Sequence, residues 1–361
     1  MQALFGIIFH FIGGSASGSF YIPYKKVKGW AWESYWIIGG LFSWLIVPPL
    51  AAYLTIPNFS EIIRHTNGHI LLLTYFFGVL WGIGGLTYGL GVRYLGVSLG
   101  SSIILGLCSV FGALIPSFYY DFHPVVGKDS FADLLNNPWG QVVLTGIVVC
   151  ILGIIICGKA GMMKEKDVSF VQRNDGTPRT EFKIGLGLTV SIISGILSAC
   201  FAFGIDAGKD MAIEANLIWK TLHPASGEFL FQNNVTYVVI LWGGLTTNLC
   251  WCMLLNARNK TFGNYTDKNA PLLKNYIFSA LAGTIWFLQF FFYGMGESKL
   301  GNGPSSWILH MAFIILVANM WGLALKEWKG VSRKTFRTVM AGIAVIILSI
   351  LIVGYGNSLK P

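Results

Sequence analysis

The stretch Trp286–His310, WFLQFFFYGMGESKLGNGPSSWILH, holds the end of one apolar segment, a glycine-rich link and the start of the next. Its outline recurs 205 positions upstream, where Gly78/Gly283, Trp81/Trp286, Tyr88/Tyr293, Gly89/Gly294, Gly91/Gly296, Leu95/Leu300, Gly96/Gly301, Ser101/Ser306 and Ile103/Ile308 match without a gap. These are nine identities in 26 positions, where ordinary residue frequencies give about two. The chain therefore reads as two related halves.

Composition tells what kind of chain is duplicated. Of 361 residues, 54% are hydrophobic and only 11% charged, against about 25% charged in a soluble domain. Apolar runs near the length of a bilayer-crossing helix recur from end to end. They fall at about 3–22, 31–54, 70–92, 96–119, 140–158, 184–205, 234–255, 275–296, 304–325 and 338–356. This predicts an all-α integral membrane protein of ten spans. The first apolar run has no positive charge ahead of it, so it reads as a span and not as a cleaved signal.

The net charge of +9 is not a nucleic-acid signature, because it is sorted by loop. Loops after spans 1, 3, 5, 7 and 9 hold 19 of the 25 Lys and Arg. The positive-inside rule puts those loops in the cytoplasm and both termini outside. Five spans per half then invert the second half relative to the first, a 5+5 inverted repeat with substrate expected between the halves. The halves are taken as 1–158 and 184–361, joined by a cytoplasmic linker at 159–183. Ser17/Ser198 and Phe20/Phe201 support pairing span 1 with span 6, at an offset of 181. Six cysteines sit inside apolar runs without zinc or disulfide spacing and read as small core residues. No metal site or cofactor is expected. The glycines at 89–96 fit GxGxxxxG without a βαβ context, so nucleotide binding is not expected either.

Candidate site residues come from polar groups at helical spacing. Span 1 carries His10, Gly14, Ser17, Tyr21 and Tyr24 on one face, and span 6 carries Ser191, Ser194 and Ser198. The serines serve equally for close helix packing. His10 differs, because an ionisable group in a span needs a partner or water. Trp286, Gln289 and Tyr293 share a face of span 8; Ser306 and His310 share one of span 9. At 1.5 Å per residue, His10, Ser198, Gln289 and His310 lie roughly 10 Å below the outer surface. Trp81 and Trp286 lie nearer the midplane. Indole rings beside hydrogen-bonding groups suit a neutral sugar, with rings on its C–H face and polar groups on its hydroxyls. Sugar contacts are therefore expected from Gln289, Trp286, Trp81, Tyr293, Ser306, Ser17 and Ser198. At the cytoplasmic end of span 1, Pro23 can end the helix. Glu33 opens span 2, where a carboxylate suits a helix N-terminus, and it could pair with Lys25 or Lys26 as a gate.

Several long motifs resemble one family. They are Phe20-Tyr21-Ile22-Pro23-Tyr24-Lys25-Lys26-Val27-Lys28 with Trp32-Glu33, Trp81-Gly82-Ile83-Gly84, Tyr88-Gly89-Leu90 with Arg93-Tyr94-Leu95-Gly96, Trp286 to Tyr293, Ser306-Trp307-Ile308-Leu309-His310-Met311, and Leu325-Lys326-Glu327-Trp328. The chain resembles the L-rhamnose–proton symporter family of the drug/metabolite transporter superfamily, from span 1 to span 10. The loops at 120–138, 159–183 and 206–233 match poorly. The resemblance implies ten helices, a bacterial inner membrane, and uptake of L-rhamnose or a related deoxysugar with a proton. It does not identify the proton site. On the residues alone, His310 or His10 is expected to carry the proton, with Glu33 as rival, since an imidazole titrates near working pH. The alternatives are a drug or metabolite exporter or a sodium-coupled sugar transporter on the same fold, and an integral membrane transferase. An enzyme would need a carboxylate or metal constellation. The acidic cluster at 206–214 has no ligand spacing, so a transporter and not an enzyme is expected.

Overall fold

The computed structural model describes residues 2–95, 97–124, 129–175, 184–225, 229–301, 303–324, 328 and 330–360. Every regular element among them is helical. In chain order these are α1 (Gln2–Ser19), α2 (Tyr21–Tyr24), α3 (Trp32–Gly40), a π-helical turn (Leu41–Ile46), α4 (Val47–Thr55), α5 (Phe59–His65), α6 (Gly68–Leu95) and α7 (Val97–Phe122). Next come α8 (Phe131–Asn136), α9 (Pro138–Asp175), α10 (Ile184–Ala207), α11 (Lys209–Leu222), α12 (Asn234–Asn259), α13 (Leu272–Leu300), α14 (Gly303–Ala324) and α15 (Arg333–Ser358), with a 3-10 turn at Phe262–Tyr265. Among the described residues, nine segments are long and apolar enough to cross a bilayer, and Ser305–Trp321 is a shorter apolar helix at the place of the ninth expected span. Segment boundaries agree with the sequence reading to a few residues.

In the 159–183 linker, α9 continues as helix to Asp175; residues 176–183 lie outside the described set. The chain also divides into two compact units that do not coincide with 1–158 and 184–361. One unit takes residues 1–7, 84–199 and 300–361; the other takes 8–83 and 200–299. Each draws on both sequence halves.

In the unit built on 84–199 and 300–361, α9 and α15 lie together through small residues. A Cβ on Gly153 would come within 3.0 Å of the Ile346 nitrogen, one on Gly342 within 2.9 Å of the Cys157 nitrogen, and one on Gly356 within 3.0 Å of the Val143 nitrogen. Bilayer lipid gives helices no hydrophobic reason to associate, so such close backbone packing supplies the dispersion that holds them. The end of this pair at the 159–183 linker is tied by Asp167. Its Oδ2 accepts from the Ser332 backbone N–H (2.8 Å) and the Thr335 hydroxyl (2.6 Å), while Ser332 Oγ accepts from the Thr335 N–H. Ser332 is thus the N-cap of α15, and Asp167 supplies it with negative charge. Chiefly the Thr335 hydrogen bond, then the Ser332 N–H, holds the Asp167 carboxyl below the usual carboxylate range. A lowered pKa means stabilisation that is complete at neutral pH and fades as pH falls through the folded-state value. Asp167→Asn is expected to cost about 1 kcal/mol at pH 7. Thermal unfolding of the purified protein should show that gap closing below about pH 4.

In the unit built on 8–83 and 200–299, the repeat acquires a physical meaning. Gly78 and Gly283, the first matched pair, each mark a point where two backbones touch. A Cβ on Gly283 would run into the Gly39 carbonyl, 2.7 Å from its carbon; one on Gly78 would run into the Ile240 carbonyl, 2.8 Å from its carbon. The partner helices answer in kind, since a Cβ on Gly243 would meet the Val79 nitrogen at 2.7 Å and one on Gly39 the Ser279 oxygen at 3.0 Å. Four residues on, Ser43 Oγ donates to the Gly283 carbonyl (2.8 Å) and Thr247 Oγ1 to the Val79 carbonyl (3.1 Å). Gly39-Gly40-x-x-Ser43 and Gly243-Gly244-x-x-Thr247 are therefore a further repeat at an offset of 204, missed in the sequence because two glycines and a small hydroxyl are weak signals alone. Beyond these crossings, α5 and α11 pack over a cluster that includes Ala52, Ile56, Ile62, Met211 and Val238.

Candidate functional site

A narrow cleft lies within the 8–83/200–299 unit, lined by Phe20, Tyr24, Trp36, Gly40, Ser43, Trp44 and Trp286. Its walls are built by local sequence. Pro23 ends the first span as expected: α1 stops at Ser19 and α2 is a single turn ending at Tyr24. This places Phe20 and Tyr24 against span 2, with Tyr24 6.1 Å and Phe20 6.4 Å from Trp36 between ring centroids. Trp36 is 6.3 Å from Trp44, and Trp44 is 5.9 Å from Trp286 at nearly a right angle. The five rings thus run mostly edge to face around the cleft, as aromatic quadrupoles prefer.

The π-helical turn explains how Ser43 and Trp44 reach it. Pro48 and Pro49 have no N–H for the Trp44 and Leu45 carbonyls four residues back. The helix yields by widening: the Val47 N–H goes to Phe42, five residues back, instead of to Ser43. Such an insertion rotates the later residues by about 100° relative to a regular helix and is a common device at functional sites. Gly39 and Gly40 just before it give room for the Tyr24 hydroxyl and the Trp44 ring.

The polar groups at the cleft are few and mostly engaged. Trp36 Nε1 donates to Asn248 Oδ1 (3.0 Å), and the Ser43 hydroxyl is committed to Gly283. Trp44 Nε1 is buried without a hydrogen-bond partner among the described residues. Aromatic walls with a few placed polar groups are what a small, uncharged, amphipathic solute requires.

Of the residues singled out from sequence, His10, Ser17, Lys25, Lys26, Glu33, Trp81, Trp286, Gln289 and Tyr293 belong to this unit, and Ser198, Ser306 and His310 to the other. Trp286 lines the cleft; Trp81 stands behind it, 5.5 Å from Trp286. From Trp286 an aromatic seam continues outward through Phe290 at 5.0 Å, which stacks on Phe201 at 4.1 Å and neighbours Tyr237 at 6.0 Å. At its outer end His10 is fully buried, 5.4 Å from the Tyr293 ring, and lies on Gly296, where a Cβ would meet its Nε2 at 2.7 Å. The next residue, Glu297, accepts from Asn233 Nδ2 (3.0 Å). Gln289 and Ser17 are buried. In the other unit His310 and Ser306 are buried, and Ser198 is half-buried beside Gly84. Of the six cysteines, Cys250 alone is exposed.

Glu33 has partners other than those expected. Its Oε1 accepts from Asn259 Nδ2 (3.0 Å) and Thr261 Oγ1 (2.8 Å), whereas Lys25 and Lys26 are exposed. It belongs to a network at the start of α3 in which Asn264 Oδ1 accepts from the Ala31 N–H and the Ser34 hydroxyl, and Asn275 pairs with the Lys28 backbone. The cleft itself was missed in the sequence. Phe20, Trp36, Ser43 and Trp44 were not among the residues expected from sequence, and Tyr24 was named only as part of the polar face of span 1, because the polar residues point to the outer level. The available signal was Trp36 and Trp44 bracketing Gly39-Gly40, immediately before a double proline.

The family comparison decides the class of solute carrier. The model of the L-rhamnose-proton symport protein family (RhaT) matches residues 2–359. The chain belongs to the L-rhamnose–proton symport protein family. Among individual relatives, a protein named L-rhamnose-proton symporter from Yersinia pestis strain Pestoides F is 37% identical over 358 residues, 98% of each chain. A protein of the same name from Pectobacterium atrosepticum is likewise 37% identical over 358 residues, again 98% of each. Family membership spans both compact units, so cleft, seam and both buried histidines lie within the family's own boundaries.

Proposed function

We propose that this protein carries L-rhamnose, or a closely related deoxysugar, together with a proton across a bacterial inner membrane, by alternating access. Full-length membership of the family supports the cargo. The aromatic cleft carries the reading at residue level: five rings and a few hydrogen-bonding groups suit a sugar with one apolar face. Phe20, Tyr24, Trp36, Ser43, Trp44 and Trp286 are the contacts this geometry favours. Trp81 supports Trp286, and the Gln289–Tyr293 face lies further along the path outward.

For the proton we favour His10 over His310. His10 shares a unit with the cleft and meets Tyr293 beside the Glu297–Asn233 pair. An inward-moving proton releases about 2.3 kcal/mol per 100 mV of membrane potential, enough to drive accumulation. Glu33, fixed by Asn259 and Thr261 at the start of α3, serves the closure of the cytoplasmic side and not the proton. The protein acts as a transporter, with no chemical step asked of it.

Purified protein in liposomes should accumulate labelled L-rhamnose above equilibrium when the outside is acidic, and only equilibrate without a gradient. His10→Ala should retain equilibration and lose accumulation, while Glu33→Gln should retain both. Accumulation indifferent to the pH gradient would overturn the proton assignment, and undiminished accumulation by His10→Ala would remove that residue from the role.

A further inference from the structure

The side of α15 turned away from α9 carries a feature that neither the fold nor the transport reading uses. Gly342 and Gly356 set one side of α15 against α9, and Thr335 continues that side to the Asp167 carboxylate. On the other side Met340, Ile347, Leu348 and Leu351 are between 41% and 64% exposed, as a lipid-facing stripe should be. Positions 333, 337, 340, 344, 347 and 351 follow helical spacing, so the stripe runs onto Arg333 and Arg337. Both arginines are exposed, as is Lys334 between them.

Three cations gathered here are unfavourable for the protein alone. Arg333 and Arg337 repel one another at i, i+4. The first turn of α15 holds no carboxylate, and cations are disfavoured at this end of the helix macrodipole. Asp167 does not answer them. It is held by the Ser332 N–H and the Thr335 hydroxyl, and Thr335 lies about 160° around the helix from each arginine. Among the described residues, none of Arg333, Lys334 and Arg337 forms an ion pair. A cluster of positive charge at the foot of an exposed apolar stripe is complementary to a phosphate group carried on acyl chains.

We propose that the start of α15 binds an anionic phospholipid. Arg333 and Arg337 clamp its phosphate, Lys334 adds charge beside it, and Met340, Ile347 and Leu351 receive an acyl chain. Guanidinium groups take phosphate oxygens in pairs, and basic clusters beside membrane helices attract acidic headgroups. The bound lipid relieves the arginine repulsion and steadies α15 at the end where Asp167 ties it to α9. The site requires only that the chain spans a bilayer, and it is independent of the sugar and proton assignments.

Thermal unfolding of the full-length protein in vesicles tests this. The vesicles are phosphatidylcholine alone, or phosphatidylcholine with phosphatidylglycerol at about two to one. Wild type is compared with Arg333→Gln/Arg337→Gln and with Lys268→Gln/Lys274→Gln, which loses the same charge from exposed positions elsewhere. Phosphatidylglycerol should raise the wild-type midpoint by about 3 °C. The lysine variant should keep that rise and the arginine variant should lose most of it. In phosphatidylcholine alone the arginine variant should melt at or above wild type, because the repulsion is gone. Arginines with a merely structural role would lower the midpoint in both lipids, and that result overturns the proposal. Equal loss of the rise in both variants also overturns it, since surface charge in general would then be responsible. If inorganic phosphate added to phosphatidylcholine vesicles gives wild type the same rise, the site takes a soluble anion and the lipid assignment falls. A wild-type midpoint unmoved by phosphatidylglycerol removes the site altogether.

Discussion

Gly283→Val is expected to destabilise the protein by about 3 kcal/mol or more and to leave little transport activity. The new Cβ would overlap the Gly39 carbonyl, with 2.7 Å to its carbon and 3.0 Å to its Cα. These are backbone atoms inside a helix and have no rotamer into which to retreat. The helices would have to part along the crossing, and the Ser43 bond to the Gly283 carbonyl would go with them. Because that bond belongs to the wall of the cleft, stability and binding should fail together. Gly78→Val should do the same at the Ile240 carbonyl. Gly85→Ala is the control, since a Cβ there meets nothing within 4 Å, and alanine in a helix is favoured over glycine by about 0.5–1 kcal/mol. Thermal unfolding of the purified variants reads the difference. Equal melting of Gly283→Val and wild type would mean that the helices do not cross on their backbones.

Trp286→Ala should weaken L-rhamnose binding by about a hundredfold or more, as removal of a central aromatic anchor usually does. Trp286 is the ring that joins the cleft to the aromatic seam, with Trp44 at 5.9 Å, Trp81 at 5.5 Å and Phe290 at 5.0 Å. Its loss opens the cleft on one side and frees Trp44 to turn. Trp81→Ala removes a ring that backs Trp286 without lining the cleft, so its effect should be smaller, about tenfold. Binding isotherms on the two variants decide the order. A larger loss in Trp81→Ala than in Trp286→Ala would place the sugar at the other end of the seam, nearer Phe201 and Tyr237.

Spans were legible in the sequence because each is a long apolar run, and hydrocarbon admits few other solutions for a backbone. The Gly78/Gly283 pair was legible as an identity, but its meaning was not, since only coordinates show that each glycine faces a carbonyl of another helix. Trp286 was legible as a ring beside polar groups near the midplane, and it lines the cleft. Trp44 was passed over because nothing in LFSWLIVPP announces that the helix widens there; that depends on how two missing N–H groups are absorbed, by a kink or by a π-helical turn. Glu33 was legible as the first turn of a helix. Its partners were not, because Asn259 and Thr261 lie more than 220 positions away in sequence. The search from polar residues led to the outer level of the membrane, where His10 and Tyr293 do meet, while the cleft lies on the ring-lined stretch further in.

The division of the chain has a consequence for any attempt to take it apart. Residues 8–83 and 200–299 make one unit, 84–199 and 300–361 the other, so a cut between 176 and 183 would separate two fragments that each hold pieces of both and the whole of neither. A half-length polypeptide of this kind would expose glycine-lined crossings with no helix to fill them. It could persist in a bilayer only beside its complement, or beside a second copy of itself inserted the other way up.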